Sequence, residues 1–126
     1  LTGSLLPAQA YYKAQKLRTM LRRQVLESLE KYDVLVLPTS GKGALRLEDD
    51  PPITSKETAG RLAFLFTRIF NLASCPAMSL PCGFDDRNMP VGLQIGARPG
   101  GEETIFKVAH AYEQATEWHT MRPPGA

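Results

Sequence analysis

The sequence predicts an α/β protein, as a partial mixed sheet of short strands covered by helices. Three observations carry that prediction. Apolar residues recur at helical spacing in three separate stretches. Between them lie short apolar runs bounded by proline and glycine, the pattern of buried strands. The resulting order is helix, strand, helix, strand, strand, helix, which is too thin for a complete doubly wound sheet and suits part of one.

Residues 7–31 read as the first helix. Pro7 fits its first turn, where the missing N–H is not needed. Ala10, Ala14, Leu17, Leu21, Val25 and Leu29 form one apolar stripe, and Glu27 and Lys31 are placed to pair on the other side. Val34–Leu37, stopped by Pro38, reads as a short strand covered on both faces. Residues 39–53, "TSGKGALRLEDDPPI", mix glycine, proline and charge and read as a long loop, a class that is often functional.

"TSKE" at Thr54–Glu57 matches a capping box opening a second helix. That helix sets Ala59, Leu62, Ala63, Phe66, Ile69 and Phe70 on one face and ends near residues 71–74, ahead of Pro76. "PAMSL" is the second strand, broken by Pro81. "DDRNMP" is turn chemistry, and "VGLQIGA" is the third strand. In that strand Val91, Leu93, Ile95 and Ala97 alternate with Gly92, Gln94 and Gly96, which marks a half-open face or the close approach of another backbone. A last helix over 101–117 buries Ile105, Val108, Ala109 and Tyr112, and residues 118–126 read as a flexible tail.

At 126 residues the chain suits one domain, and 43% hydrophobic residues argue against disorder. The formal charge of +2 is too small to imply nucleic acid by itself. Two cysteines without a CxxC pair suggest neither a disulfide framework nor zinc, and point to a reducing compartment, the cytoplasm. No run is long enough to cross a bilayer, and no cofactor or metal is expected. A first residue of Leu1 suggests a piece of a longer protein.

Cys75 and Cys82 have no basic neighbour within three positions and read as small buried hydrophobes. A nucleophilic cysteine would need His110 or His119. His110 shares a face with Glu103, Lys107 and Gln114, opposite the apolar stripe, and His119 falls in the tail. Ser40 and Lys42 in "TSGKG" follow a buried strand, where α/β proteins place functional loops, but they lack P-loop spacing and would point apart if extended. Lys13, Lys16, Arg18, Arg22 and Arg23 are spread around the first helix and read as a solvated face. Thr67, Arg68 and Asn71 stand near a helix end, either as a stop signal or reaching a cleft.

"TRIFNLASCPAMSLPCGF", followed by "MPVGLQIGA" and "EETIFKVAHAYE", resembles the C-terminal part of the amidase signature family, which reads T-x-x-x-N-x-x-G-x-P-A-x-x-x-P-x-G and then L-P-x-G-x-Q. "YYKAQKLR" and "DVLVLPTS" resemble the helix and strand that precede it. The resemblance spans about residues 11–117 and implies a fragment of the larger amidase signature α/β fold. It implies amide hydrolysis or transfer by two serines and a lysine from an upstream glycine- and serine-rich core that this chain lacks. No catalytic residue is therefore assigned here. Thr39, Phe64, Thr67, Arg68 and Asn71 are the candidate pocket-wall residues. The partners implied are the rest of a parent chain and a small amide, with self-association of the fragment, no direct nucleic acid and no membrane.

Two rival readings stay open: the A-subunit of a tRNA-dependent glutamine amidotransferase, and a non-catalytic interaction module. The amidotransferase branch often carries aspartate where this chain has Phe64, and the family pattern has glycine where this chain has Ser74.

Overall fold

The computed structural model describes residues 2–44 and 65–122. The "TSKE" box, the first part of the predicted second helix, residues 45–53 of the predicted loop and Phe64 lie outside them. The described elements are a short 3-10 turn (Thr2–Leu5), α1 (Ala8–Leu29), β1 (Leu35–Pro38), α2 (Arg68–Ala73), β2 (Ala77–Phe84), β3 (Pro90–Gly96), α3 (Glu102–Ala115) and a 3-10 turn (Trp118–Thr120).

The strands form one sheet in the order β1-β3-β2, with both pairings antiparallel. Leu37, Gln94 and Ser79 lie side by side across it, as do Leu35, Gly96 and Ala77. Because side chains alternate along a strand, one face carries Leu35, Leu37, Thr39, Gly92, Gln94, Gly96 and Ser79. The other carries Ile95, Met78 and Leu80.

Each face has its own core. Leu80, Ile95 and Ala97 pack with Ile105 and Ala109 of α3, joined by Val34, Met78, Val108 and Tyr112. On the opposite side Val25 and Leu29 of α1 meet Ala73, with Leu21, Leu35, Ile69 and Cys75 around them. Phe70 is 1% exposed and lies over Gly96, where a Cβ would come within 2.1 Å of its ring. The close approach on the Gly92–Gly96 face is therefore made by side chains, this ring among them, and not by another backbone.

Several expectations change in detail. β2 is not broken at Pro81 but runs through it, because β2 lies at the edge of this sheet and an edge position tolerates the missing donor. The register slips between Pro81 and Gly83, leaving Cys82 as a bulge, and Gly83 takes a φ of 135° there. β1 is covered on one face only, since Val36 is half exposed. Glu27 pairs with Arg23 at 2.7 Å, rather than with Lys31.

The stripe of α1 is buried only toward its C-terminal end. Ala10, Ala14 and Leu17 are exposed, and so are Leu5, Leu6, Tyr11 and Tyr12 at or before the helix start. Within the stretch expected as a tail, Trp118 packs edge-on against Phe84, with ring centroids 6.1 Å apart. Among the described residues, no helix is long and apolar enough to cross a membrane.

Candidate functional site

A groove of about 520 Å³ opens at the end of β1, walled by Thr39–Ala44 on one side and Pro90–Gly92 on the other. Its position follows from the sheet: β1 ends at Pro38, and Thr39 keeps one more ladder bond, its N–H donating to Gly92 O at 2.8 Å. The chain then leaves the sheet. Ser40 pairs across an isolated bridge with Leu65, which brings the segment leading into α2 beside the groove.

The Thr39 wall of the groove is backed by uncharged polar side chains of the sheet. Thr39 Oγ1 and Ser79 Oγ lie 2.6 Å apart, bonded across the middle strand. Gly92 lies beneath them. A Cβ there would fall 2.8 Å from the threonine oxygen and 2.9 Å from the serine oxygen, so only glycine leaves room for the pair. Two hydroxyls sharing one bond keep a second hydrogen to donate. Next along the same face, Gln94 is 5% exposed, and its Oε1 is buried without a partner among the described residues. A buried amide oxygen in that state is costly unless a donor reaches it.

The loop wall is held from below. Ser40 Oγ donates to Lys42 O at 2.9 Å and accepts from Lys42 N at 3.3 Å, so the hydroxyl is engaged by its own loop. A Ser40–Lys42 side-chain dyad does not form by these contacts. Asp85 and Arg87, from the β2–β3 turn, touch the far end of the wall.

The predicted site residues separate. Thr39 lines the groove, and Phe64 lies outside the described residues. Thr67, half-buried, precedes α2 without a side-chain capping bond, two positions after Leu65 of the Ser40 bridge. Arg68 and Asn71 are exposed on α2. Ser79, Gln94 and the Asp85–Arg87 pair were not singled out by the sequence, although the alternation of Gly92, Gln94 and Gly96 marked the right face of β3.

The thiols are structural. Cys75 Sγ points to Ala73 O at 3.7 Å, and Cys82 Sγ to Val91 O at 3.5 Å. Burial pushes the Cys75 thiol up, against the opposing pull of the Arg22 guanidinium, which leaves it a poor nucleophile at neutral pH. Two of the basic residues of α1 are not merely solvated. Arg18 Nε donates to Leu72 O at 2.9 Å and its Nη2 to Ser74 Oγ at 2.9 Å, while Arg22 Nη1 donates to Ala73 O. Both satisfy the open C-terminal end of α2 and the negative end of its dipole.

That end is a Schellman turn, with Cys75 N–H to Phe70 O at 3.0 Å and Ser74 N–H to Asn71 O at 3.3 Å. Ser74 is left-handed, at φ 53°. This is the position where the family pattern has glycine, and the conformation supplies the reason.

The Amidase family model matches residues 2–106. The glutamyl-tRNA(Gln) amidotransferase A-subunit of Thermodesulfovibrio yellowstonii is 42% identical over 118 residues, covering 91% of this chain and 23% of that protein. Its namesake from a Synechococcus strain is 46% identical over 117 residues, covering 91% and 22%. The crystal structure of the same protein from Thermotoga maritima aligns with a TM-score of 0.76 and 32% identity, over 91% of this chain and 25% of that one. A 6-aminohexanoate cyclic dimer hydrolase aligns at 0.71 and 27% identity, over 96% and 27%. The chain thus spans about a quarter of the length of these relatives. Across that span, the chain belongs to the Amidase family.

Proposed function

We propose that this chain is the C-terminal portion of an amide-hydrolysing enzyme and furnishes one wall of its substrate pocket. The parent acts on linear amide C–N bonds. A serine outside these residues attacks the carbonyl, the amine departs, and water releases the acyl group as an acid, with the oxyanion held by backbone N–H groups. The observation that carries the reading is the uncharged Thr39–Ser79 hydroxyl pair at the groove in a chain of this family. Thr39 on the groove wall, bonded to Ser79 behind it, offers an uncharged hydroxyl to the oxygen of a carboxamide.

Thr39 is the pocket-wall residue best placed for this role. Phe64, Thr67, Arg68 and Asn71 remain proposed pocket-wall residues, of which Thr67 follows the Ser40–Leu65 bridge by two positions. The exposed apolar residues of α1 and β1 are where the remainder of the parent seats, and in its absence they drive self-association. The protein works in the cytoplasm.

A second reading has support of its own: the relatives at 42% and 46% identity named above are amidotransferase A-subunits. Phe64 favours the hydrolase, because an apolar residue there suits a less polar amide than glutamine. The full-length parent separates the two. Ammonia release from a simple primary amide, without partner subunits, supports the hydrolase. Glutamine-dependent amide transfer that requires partner subunits overturns it.

A further inference from the structure

The turn between β2 and β3 does more than reverse the chain. Asp85 Oδ1 accepts from Arg87 N and Met89 N, both at 2.9 Å, and Asn88 N–H closes the turn on Asp85 O at 2.9 Å with Asn88 at φ 61°. These bonds fix the carboxylate, whose other oxygen accepts from Arg87 Nη2 at 3.0 Å. The same Nη2 donates to Ala44 O at 3.1 Å, at the far end of the groove wall. The contact is close on the carboxylate side too. A Cβ on Gly43 would fall 2.1 Å from Asp85 Oδ2 and 2.9 Å from Arg87 Nη2.

One carboxylate thus holds one guanidinium, and the guanidinium holds a backbone carbonyl 43 positions away in sequence. The side chain of Asp85 is 17% exposed and that of Arg87 43%, so the pair is shielded from solvent mainly on the aspartate side. At the near end of the wall, the backbone of Thr39 is tied to Gly92 and its hydroxyl to Ser79. Between the ties the Ser40 hydroxyl bonds the Lys42 backbone, while Gly41 and Gly43 have no side chains to add to that hold.

We propose that Asp85 and Arg87 are a positioning pair for the groove, clamping Gly43–Ala44 and thereby setting the wall that faces Pro90–Gly92. Arg87 acts through the loop backbone, and Asp85 acts through Arg87. The groove's role as a substrate pocket rests on the amidase reading. The clamp itself does not, and it is read without substrate.

The test measures cleavage of the chain at Lys42–Gly43 by a lysine-specific protease, followed by mass spectrometry, beside the thermal midpoint. Arg87→Ala is expected to speed that cleavage about tenfold. Arg87→Gln, which keeps a donor for Ala44 O, should fall between it and the wild type, and Asp86→Ala in the same turn should leave the rate unchanged. Gly43→Ala, which forces the loop off Asp85, should speed the cleavage as Arg87→Ala does. Cleavage at Lys13 and Lys107, both within helices, should not follow in any of them. A Lys42 rate within twofold of wild type in Arg87→Ala, or a rise shared equally by Lys13 and Lys107, overturns the clamp. In the parent, an unchanged KM for the amide beside a loosened loop would count against the pocket reading and leave the clamp standing.

Discussion

Replacing Gly96 by alanine tests how tightly the two helical layers are fitted to the sheet. The added methyl would lie 2.1, 2.2 and 2.6 Å from Cε1, Cζ and Cδ1 of Phe70. Ordinary carbon–carbon contact is about 3.5–4.0 Å, so the ring or the strand must retreat by roughly 1.5 Å. Phe70 is 1% exposed and belongs to a six-residue helix whose end is held by Arg18 and Arg22, so it has little freedom to move. Overpacking of this kind costs about 1–3 kcal/mol. Alanine recovers about 0.5–1 kcal/mol of the chain entropy that glycine loses in a strand, because Gly96 is not at positive φ. A net loss of about 1 kcal/mol is expected. Urea unfolding followed by the single tryptophan, Trp118, reads it as a lower midpoint at constant slope. The double variant Gly96→Ala/Phe70→Leu should cost less than Phe70→Leu and Gly96→Ala summed, by more than about 1 kcal/mol. A loss below about 0.5 kcal/mol for Gly96→Ala, or additivity in the double variant, would refute the packing described.

Two further expectations concern charges. Arg22→Ala removes a charge-assisted bond to the end of α2 and should cost about 1.5–3 kcal/mol in the same unfolding assay, whereas Arg18→Ala, at a more exposed position, should cost less. Asp85 is held below its ordinary value of 3.8, first by the Met89 N–H and also by Arg87. Its contribution is therefore present above that ordinary value and lost as pH falls through the lowered one. Melting from pH 6 to pH 3 should show the wild type converging on Asp85→Asn at the acid end, and parallel curves would contradict it.

Element type was legible in the sequence because it rests on periodicity. The α3 stripe and the alternation in β3 each reported a real face, and the α1 stripe did so over its C-terminal half. What was not legible depends on neighbours in space. Pro81 reads as a strand breaker until β2 is known to be an edge. Arg18 and Arg22 read as a solvated face until α2 ends beside them. Val34–Leu37 reads as covered on both sides because an apolar run does not say which partners lie within the same chain. The site was harder still. Thr39 could be named from its place after a strand, but Ser79 comes from a different strand and meets Thr39 only across Gly92. Gln94 reads as ordinary alternation until it is found buried. The glycine-for-Ser74 difference was visible as a pattern, and its meaning came from a backbone angle.

The most direct measurement is ammonia release when these 126 residues alone are incubated with simple aliphatic and aromatic primary amides. The account predicts no turnover above the buffer rate, because on the proposed reading the groove only recognises the amide and the attacking serine lies outside these residues. Hydrolysis by the isolated chain that disappears in Ser40→Ala or Cys75→Ala would contradict it.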